Sequence, residues 1–234
     1  FWANRDSHEV YYFDPKTDYA PTTAISSISW DDPNFPNIEG FGVWAAKCNF
    51  TMGPDGKMYS RMLGGNLVRI DVENARGENL TNGDLVGTKD GSAYGLVFGA
   101  QDENVFYFSN NDTHCIYKYD LRTKECACWA GQEGKSGYLD GPIGQAMFNK
   151  PGQMCVDSEG NIILTDTENH CIRKITMSTG YVSTLAGKPQ NSGYVNGSAE
   201  DAQFKKPLGI CIDNDDVMYI GDSENRAIRR LAVE

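Results

Sequence analysis

The sequence predicts an all-β protein, a β-propeller made of repeated four-stranded antiparallel blades. Three observations predict this fold class. The 234-residue chain repeats itself at a spacing of 56 residues, each repeat alternates short apolar segments with turn residues, and no segment has the pattern of a long amphipathic helix. Solenoid repeats of this period are built from helices, so the sequence pattern excludes them.

The internal repeat is clearest in the last part of the chain. Residues 137–178 align with residues 193–234 without a gap, and about a third of the aligned positions are identical. The same shift pairs His114 with His170, so a third copy covers roughly residues 92–131, and weaker copies precede it. The predicted repeat units cover about residues 1–40, 41–91, 92–147, 148–203 and 204–234, and the first and last units are incomplete.

One repeat contains four short strands. Residues 153–156, 162–165, 171–175 and 181–185 are short, mostly apolar or β-branched segments with turn residues between them. The first turn, residues 157–161, has the sequence Asp-Ser-Glu-Gly-Asn, whose members tolerate a positive φ. Four antiparallel strands per unit, repeated radially, are typical of a propeller blade.

The strand count predicts an incomplete propeller. The first unit supplies three strands, each of the three middle units supplies four and the last unit supplies three, so the chain has about 18 strands. This number is not a multiple of four, and a propeller that lacks a blade has open sheet edges that invite aggregation. We therefore expect the chain to be excised from a longer protein whose complete ring has about six blades.

The composition indicates an acidic globular protein. There are 21 Lys and Arg residues against 32 Asp and Glu residues, a net charge of −11, and 40% of the residues are hydrophobic. A negative balance of this size disfavours phosphate backbones and anionic membrane surfaces, so we expect no nucleic-acid partner. No apolar run approaches the roughly 18 residues of a transmembrane helix, so no membrane-spanning segment is expected in this chain.

The C-terminal copies resemble NHL repeats. The similar segments are residues 148–152, 157–161, 166–175 and 182–187. The connectors at 137–141 and 193–197 are similar to those of NHL propellers of gut Bacteroidetes cell-surface proteins. The resemblance implies a bacterial cell-surface lipoprotein, outer-membrane-anchored or periplasmic, in which the propeller follows an immunoglobulin-like IPT/TIG domain.

The three histidines occupy one repeat position. His8, His114 and His170 each follow the predicted second strand, and a repeated residue indicates a repeated structural role. We expect each to cap the turn between the second and third strands, helped by an Asn or Asp side chain four residues earlier: Asn4, Asn110, Asp166 or Asp222. NHL-related amidating lyases hold a metal with pore histidines, and no unrepeated histidine is left for that task.

The sequence does not point to a metal site. Five of the seven cysteines occupy repeated positions and are expected to be small, buried side chains between blades: Cys48, Cys115, Cys155, Cys171 and Cys211. Cys126 and Cys128 have no second thiol pair to complete a zinc site. The acidic segment 213–216 lies where each blade has its first hairpin, so a solvated turn is favoured over a Ca²⁺ site. We expect no cofactor.

Aromatic side chains are the better candidates for function. Flat rings beside carboxylates and amides suit sugar stacking, and the mouth of a propeller is a common ligand site. The connectors between blades and the starts of the first strands place six aromatic residues as candidates for a ligand site at the pore mouth: Trp30, Phe35, Trp44, Tyr94, Tyr138 and Tyr194. Because Tyr138 and Tyr194 are repeated, their alternative role is to fasten their own connectors.

We therefore predict a non-catalytic ligand-binding propeller. Glycan is the favoured ligand, and a surface-protein partner is the second possibility. The alternative class is a metal-dependent hydrolase or lyase that acts at the pore, although no catalytic residue can be named. RNA recognition would need a basic face, which the net charge of −11 does not favour.

Overall fold

The computed structural model describes backbone and side chains for residues 50–61, 67–81 and 95–232. It also describes the backbone of four strands at 2–4, 9–13, 21–25 and 29–30. The chain forms two compact units, residues Phe1–Leu85 and Val86–Glu234.

Almost every described element is a β-strand. In the first unit the strands are β1 Trp2–Asn4, β2 Glu9–Phe13, β3 Pro21–Ile25, β4 Ser29–Trp30, β5 Thr51–Met52, β6 Met58–Arg61, β7 Leu67–Asp71 and β8 Arg76–Asn79. In the second unit they are β9 Leu96–Gly99, β10 Asp102–Asn110, β11 Cys115–Asp120, β12 Cys126–Ala130, β13 Gly141–Pro142, β14 Pro151–Val156, β15 Ile162–Asp166, β16 Cys171–Thr176, β17 Tyr181–Ala186, β18 Pro207–Ile212, β19 Met218–Asp222 and β20 Ala227–Leu231. Two single-turn 3₁₀ helices cover Thr167–Asn169 and Ser223–Asn225.

The strands form five sheets in which sequential strands pair antiparallel. The first unit contains β1–β3 and the sheet β5–β8, to which β4 adds a parallel edge strand. The second unit contains β9–β12, then β14–β17 with the short strand β13 on its outer edge, then β18–β20. Without β4 and β13 the described strands number 18, which confirms the predicted count and the all-β class.

The sheets of the second unit are arranged as propeller blades. The first strands of successive sheets lie side by side, β9 against β14 and β14 against β18. Hydroxyl groups join them: Ser109 Oγ donates to the carbonyl of Gly152 at 2.7 Å, and Thr165 Oγ1 donates to the carbonyl of Leu208 at 2.9 Å. Each second strand therefore hydrogen-bonds to the first strand of the next blade, which is the radial repetition of a β-propeller.

The core lies between the blades. One apolar cluster, which includes Phe148, Leu164 and Ile116, fills the space between sheets β9–β12 and β14–β17. A second cluster, which includes Ile163 and Phe204, fills the space between β14–β17 and β18–β20. Because the middle sheet is covered on both faces, β15 is buried along its whole length, which explains its continuous rather than alternating apolar sequence.

Candidate functional site

The structure describes the side chains of two of the six predicted ligand-site residues. Phe35, Trp44 and Tyr94 lie outside the described residues, and only the backbone of Trp30, in β4, is described. Tyr138 and Tyr194 lie in the long connectors that lead into sheets β14–β17 and β18–β20.

The two connectors fold in the same way. In each, a single bridge joins two distant residues of the loop, Leu139 to Met147 in the first and Val195 to Gln203 in the second. A glycine with a positive φ follows each tyrosine by three residues, at 152° for Gly141 and 156° for Gly197. Residues with a Cβ rarely adopt such angles, so the repeated glycine fixes the bend of the connector.

Tyr138 is fastened to its own blade. The guanidinium carbon of Arg173 lies 4.9 Å from the centre of its ring. The hydroxyl group is 2.7 Å from Thr184 Oγ1 and donates to Asp140 Oδ2 at 3.3 Å. These contacts place Tyr138 against the third and fourth strands of the sheet and favour the alternative role, in which the tyrosine fastens the connector.

Tyr194 is held in the same way but is open to solvent. Arg229 lies 4.9 Å from its ring centre, yet 59% of the residue is exposed. A cation that lies against one face of an aromatic ring is attracted to it, and this cation–π attraction holds the ring in place. Tyr194 is thus a fixed and accessible aromatic surface, and whether it binds a ligand remains a prediction.

A buried cluster that we call the connector clamp underlies each tyrosine. In the first copy, Arg173 Nη1 donates to Asp166 Oδ2 at 2.7 Å, and Asn169 Nδ2 donates to the same oxygen at 2.8 Å. Both donors also reach the connector, because Asn169 donates to the carbonyl of Gly137 and Arg173 donates to the carbonyl of Leu139. Asp166 and Arg173 have fully buried side chains. The clamp therefore ties the connector to the end of the blade.

The clamp recurs one repeat later. Arg229 Nη1 donates to Asp222 Oδ2 at 2.9 Å, Asn225 Nδ2 donates to that oxygen at 2.8 Å, and Arg229 Nη2 donates to the carbonyl of Val195. The clamp was not predicted from the sequence, although identical residues at the aligned positions of the two repeats were a signal for it. Sheet β9–β12 uses other residues at the three positions, namely Asn110, Thr113 and Tyr117.

The expected role of the Asn and Asp side chains in turn capping is confirmed for one sheet and wrong for two. Asn110 Oδ1 accepts hydrogen bonds from the amides of Asp112 and Thr113, as a turn cap does. Asp166 and Asp222 make no side-chain cap to the following turn. Their carboxylates bind the clamp arginines instead, because a buried anion is stabilised most by a cation.

The histidines have a structural role that joins two blades. His114 and His170 adopt left-handed backbone angles, with φ of 59° and 58°. The Nδ1 atom of His114 accepts the amide of Lys150 at 3.1 Å, and that of His170 accepts the amide of Lys206 at 3.2 Å. Each histidine therefore ends the turn in its own blade and caps the first residues of the next one. His8 lies outside the described residues.

The His114 contact predicts a pH dependence of stability. Burial lowers the pKa of His114, and the neighbouring Lys150 lowers it further. The unfolded chain therefore takes up a proton below about pH 6.5 before the native state does, so the free energy of unfolding falls with acidification. We expect a larger loss between pH 7.5 and pH 5.5 for the wild type than for His114→Asn in urea denaturation. Equal losses in the two proteins would contradict the assignment.

Burial is confirmed for three of the five cysteines that the sequence predicts to be buried. All six cysteines in the described part of the chain are free, and Cys115, Cys155 and Cys171 are buried. Cys211 is exposed, so its prediction as a buried residue is wrong. Cys155 is covered because sheet β18–β20 packs on its face, whereas Cys211 shares the opposite, exposed face of that sheet with Tyr219. Cys48 lies outside the described residues.

The acidic segment 213–216 serves as a turn. Asp213 Oδ1 accepts the amides of Asp215 and Val217, and Asp216 accepts hydrogen bonds from the amide and the hydroxyl of Ser158 in the preceding blade. Within the described ranges, no group of three or more His, Cys, Asp or Glu side chains is placed to hold a metal ion. The same part of the chain contains no helix long and apolar enough to span a membrane.

The segment that contains the first connector clamp also matches a known family. A family model for the NHL repeat matches residues 148–175, which begin at the end of the first clamped connector and contain its Asp, Asn and Arg. The chain is a β-propeller that contains an NHL repeat. This NHL repeat contains strand β14 and the turn at residues 157–161, and both were predicted from the sequence.

Known proteins resemble the chain over most of its length. A Bacteroides thetaiotaomicron protein of unknown function matches 97% of the chain with a TM-score of 0.80 and 25% identity. An auxiliary nutrient binding protein of the same species matches 78% of the chain with a TM-score of 0.64 and 28% identity. NHL repeat-containing protein 2 of Gallus gallus is 30% identical over 152 residues, or 64% of the chain.

The relatives are longer than this chain. The chain spans 54% and 46% of the two Bacteroides chains and 19% of the Gallus protein. The similarity thus concerns only a part of each relative.

Proposed function

We propose that the chain is a non-catalytic ligand-binding propeller of a bacterial envelope protein and that its ligand is a carbohydrate. The observation that carries the proposal is Tyr194, an aromatic ring held by Arg229 and 59% exposed. A fixed apolar ring surface stacks on the C–H face of a sugar with little loss of side-chain entropy. The similarity to an auxiliary nutrient binding protein supports ligand binding in an envelope location.

The proposal extends to the architecture of the whole protein. We place the chain in a cell-surface lipoprotein whose complete propeller has about six blades and follows an immunoglobulin-like domain. This part of the proposal rests on the resemblance of the connectors 137–141 and 193–197 to those of Bacteroidetes surface proteins.

A glycan array tests the proposed function. We expect the wild-type protein to bind a subset of glycans and Tyr194→Ala to lose at least about tenfold in affinity, or roughly 1.4 kcal/mol. Tyr194→Phe keeps the ring and should keep binding. Trp30→Ala/Phe35→Ala tests two of the four predicted residues whose side chains lie outside the described part of the chain.

A second exposed tyrosine provides the matched control. Tyr181, in β17, is 47% exposed, and its replacement by alanine removes a similar ring from another surface. We expect Tyr181→Ala to bind as the wild type does. A folded wild-type protein that binds no glycan would overturn the proposal and favour a surface-protein partner.

A further inference from the structure

The sheet β5–β8 carries a polar cleft that the proposed Tyr194 surface does not use. Its volume is about 370 Å³, near the lower end of the roughly 300 to 1,000 Å³ of small-molecule sites. The side chains that line it come from β7, β8 and two turns of this sheet: Lys57, Arg69, Asp71, Asn74, Arg76 and Glu78.

The lining residues are ordered by contacts with one another. Lys57 Nζ lies 3.4 Å from Asp71 Oδ2, and Asn74 Nδ2 donates to the same carboxylate at 3.1 Å. Arg69 Nε donates to Glu78 Oε2 at 3.0 Å. These pairs are partly exposed, so they remain accessible to a ligand while their geometry is fixed in advance. Fixed side chains lose less entropy when a ligand binds.

The charges of the cleft are nearly balanced. Three cationic and two anionic side chains line it, in a chain with a net charge of −11. An anionic ligand would meet Asp71 and Glu78, and a cationic ligand would meet the arginines. A neutral polyhydroxyl ligand avoids both repulsions, because each hydroxyl group donates to a carboxylate and accepts from a guanidinium, ammonium or amide group.

The strand next to the cleft carries one of the predicted ligand-site residues. The main chain of β4 pairs in parallel with β8, with Ser29 opposite Arg76 and Trp30 opposite Gly77. Gly77 is itself part of the cleft lining. The topology therefore places Trp30 on the strand that borders the cleft, beside the residues that supply hydrogen bonds.

We propose that this cleft is a second binding site and that its ligand is a neutral segment of an oligosaccharide. The ligand class rests on the proposed carbohydrate-binding function, whereas the place of the site rests on the cleft itself. Binding in this site is insensitive to salt, because no net charge is neutralised, whereas binding of a uronic-acid oligosaccharide would weaken as salt rises.

The first experiment compares variants of exposed arginines on a glycan array. Arg76→Ala removes a donor from the cleft, and Arg230→Ala removes a similarly exposed arginine from β20. For at least one neutral glycan, we expect Arg76→Ala to lower the affinity about tenfold or more and Arg230→Ala to leave it unchanged. A preference of the site for uronic-acid glycans, with loss of binding at high salt, would overturn the proposed ligand class.

Hydrogen–deuterium exchange of the wild-type protein locates the site without any substitution. The probes are the strongest neutral binder from the array and trigalacturonic acid. We expect the neutral probe to protect peptides that cover β6–β8, and trigalacturonic acid to leave them unchanged. Protection only around Tyr194 would overturn the second site and leave the proposed function intact. No binding to any glycan would overturn both.

Discussion

Replacement of Arg173 by methionine is expected to lower the free energy of unfolding by about 3 to 5 kcal/mol. The side chains of Arg173 and Asp166 are both 0% exposed, so the variant would leave a carboxylate buried without its cation. The substitution also removes the donors to the carbonyls of Leu139 and Met147, which hold the connector. Methionine keeps most of the length and apolar contact of the side chain, so the loss reports on the charge and its hydrogen bonds.

Two further variants separate the ion pair from the packing. In Asp166→Asn/Arg173→Met neither charge remains, so we expect part of the lost stability to return. We expect Arg229→Met to lower the free energy of unfolding less than Arg173→Met does. The side chain of Arg229 is 8% exposed, and its described ion pair is with Asp222 alone. Arg173, in contrast, also pairs with Asp140.

Urea denaturation followed by circular dichroism measures these differences. The clamp assignment would be wrong if Arg173→Met cost less than about 1 kcal/mol, which is the usual range of an exposed ion pair. It would also be wrong if the double variant were no more stable than the single one. Circular dichroism in the absence of urea shows whether each variant is folded.

The fold was predictable because it repeats. A pattern that occurs at 137–178 and again at 193–234 can be read twice, and strands that are ambiguous in one copy become clear in the other. The observed strands Pro151–Val156 and Ile162–Asp166 extend the predicted ones by two residues and one residue. The short strands β4 and β13 were missed, since two residues that pair with the edge of another sheet carry no periodic signal.

The candidate site was predicted less well, because side-chain partners depend on the approach of distant segments. The sequence showed that Asp166, Arg173 and Tyr138 recur at the same spacing, but not that they meet. Their meeting depends on the path of the connector, which a bend at Gly141 directs back onto the third and fourth strands. The exposure of Cys211 was missed for a similar reason, since burial depends on whether another sheet covers a face.

The connector clamp links stability to the proposed function. Arg229 is both the clamp residue of sheet β18–β20 and the cation that lies against the ring of Tyr194. A variant that loosens the clamp should therefore also loosen the surface on which a sugar would stack. Binding experiments need Tyr194→Ala rather than an Arg229 variant, because only the former leaves the buried ion pair in place.

Replacement of Gly152 by alanine is the second substitution with a large expected effect. A Cβ at this position would lie 2.5 Å from Thr165 Oγ1, 2.9 Å from Thr167 Oγ1 and 3.0 Å from the carbonyl oxygen of Leu208. Both hydroxyls donate to carbonyls of the next blade, those of Leu208 and Pro207, at 2.9 Å. The methyl group therefore needs space that the joint between two blades does not have.

We expect the overpacking in Gly152→Ala to lower the free energy of unfolding by about 1 to 3 kcal/mol. Each hydroxyl that loses its hydrogen bond to a carbonyl of the next blade adds roughly 1 kcal/mol to this loss of stability. The carbonyl of Gly152 also accepts the hydroxyl of Ser109 from the preceding blade, so a shift of this residue disturbs three sheets together. The effect should appear as a loss of cooperative stability of the second unit in urea denaturation.

Gly144→Ala is the matched control. A Cβ at Gly144 would have no heavy atom within 4 Å, and its backbone does not adopt a positive φ. We expect its unfolding free energy to stay within about 0.5 kcal/mol of the wild type. If Gly152→Ala were as stable as Gly144→Ala, the blades would have room to move apart at this joint. The hydroxyl contacts of Thr165 and Thr167 would then contribute little to holding successive blades together.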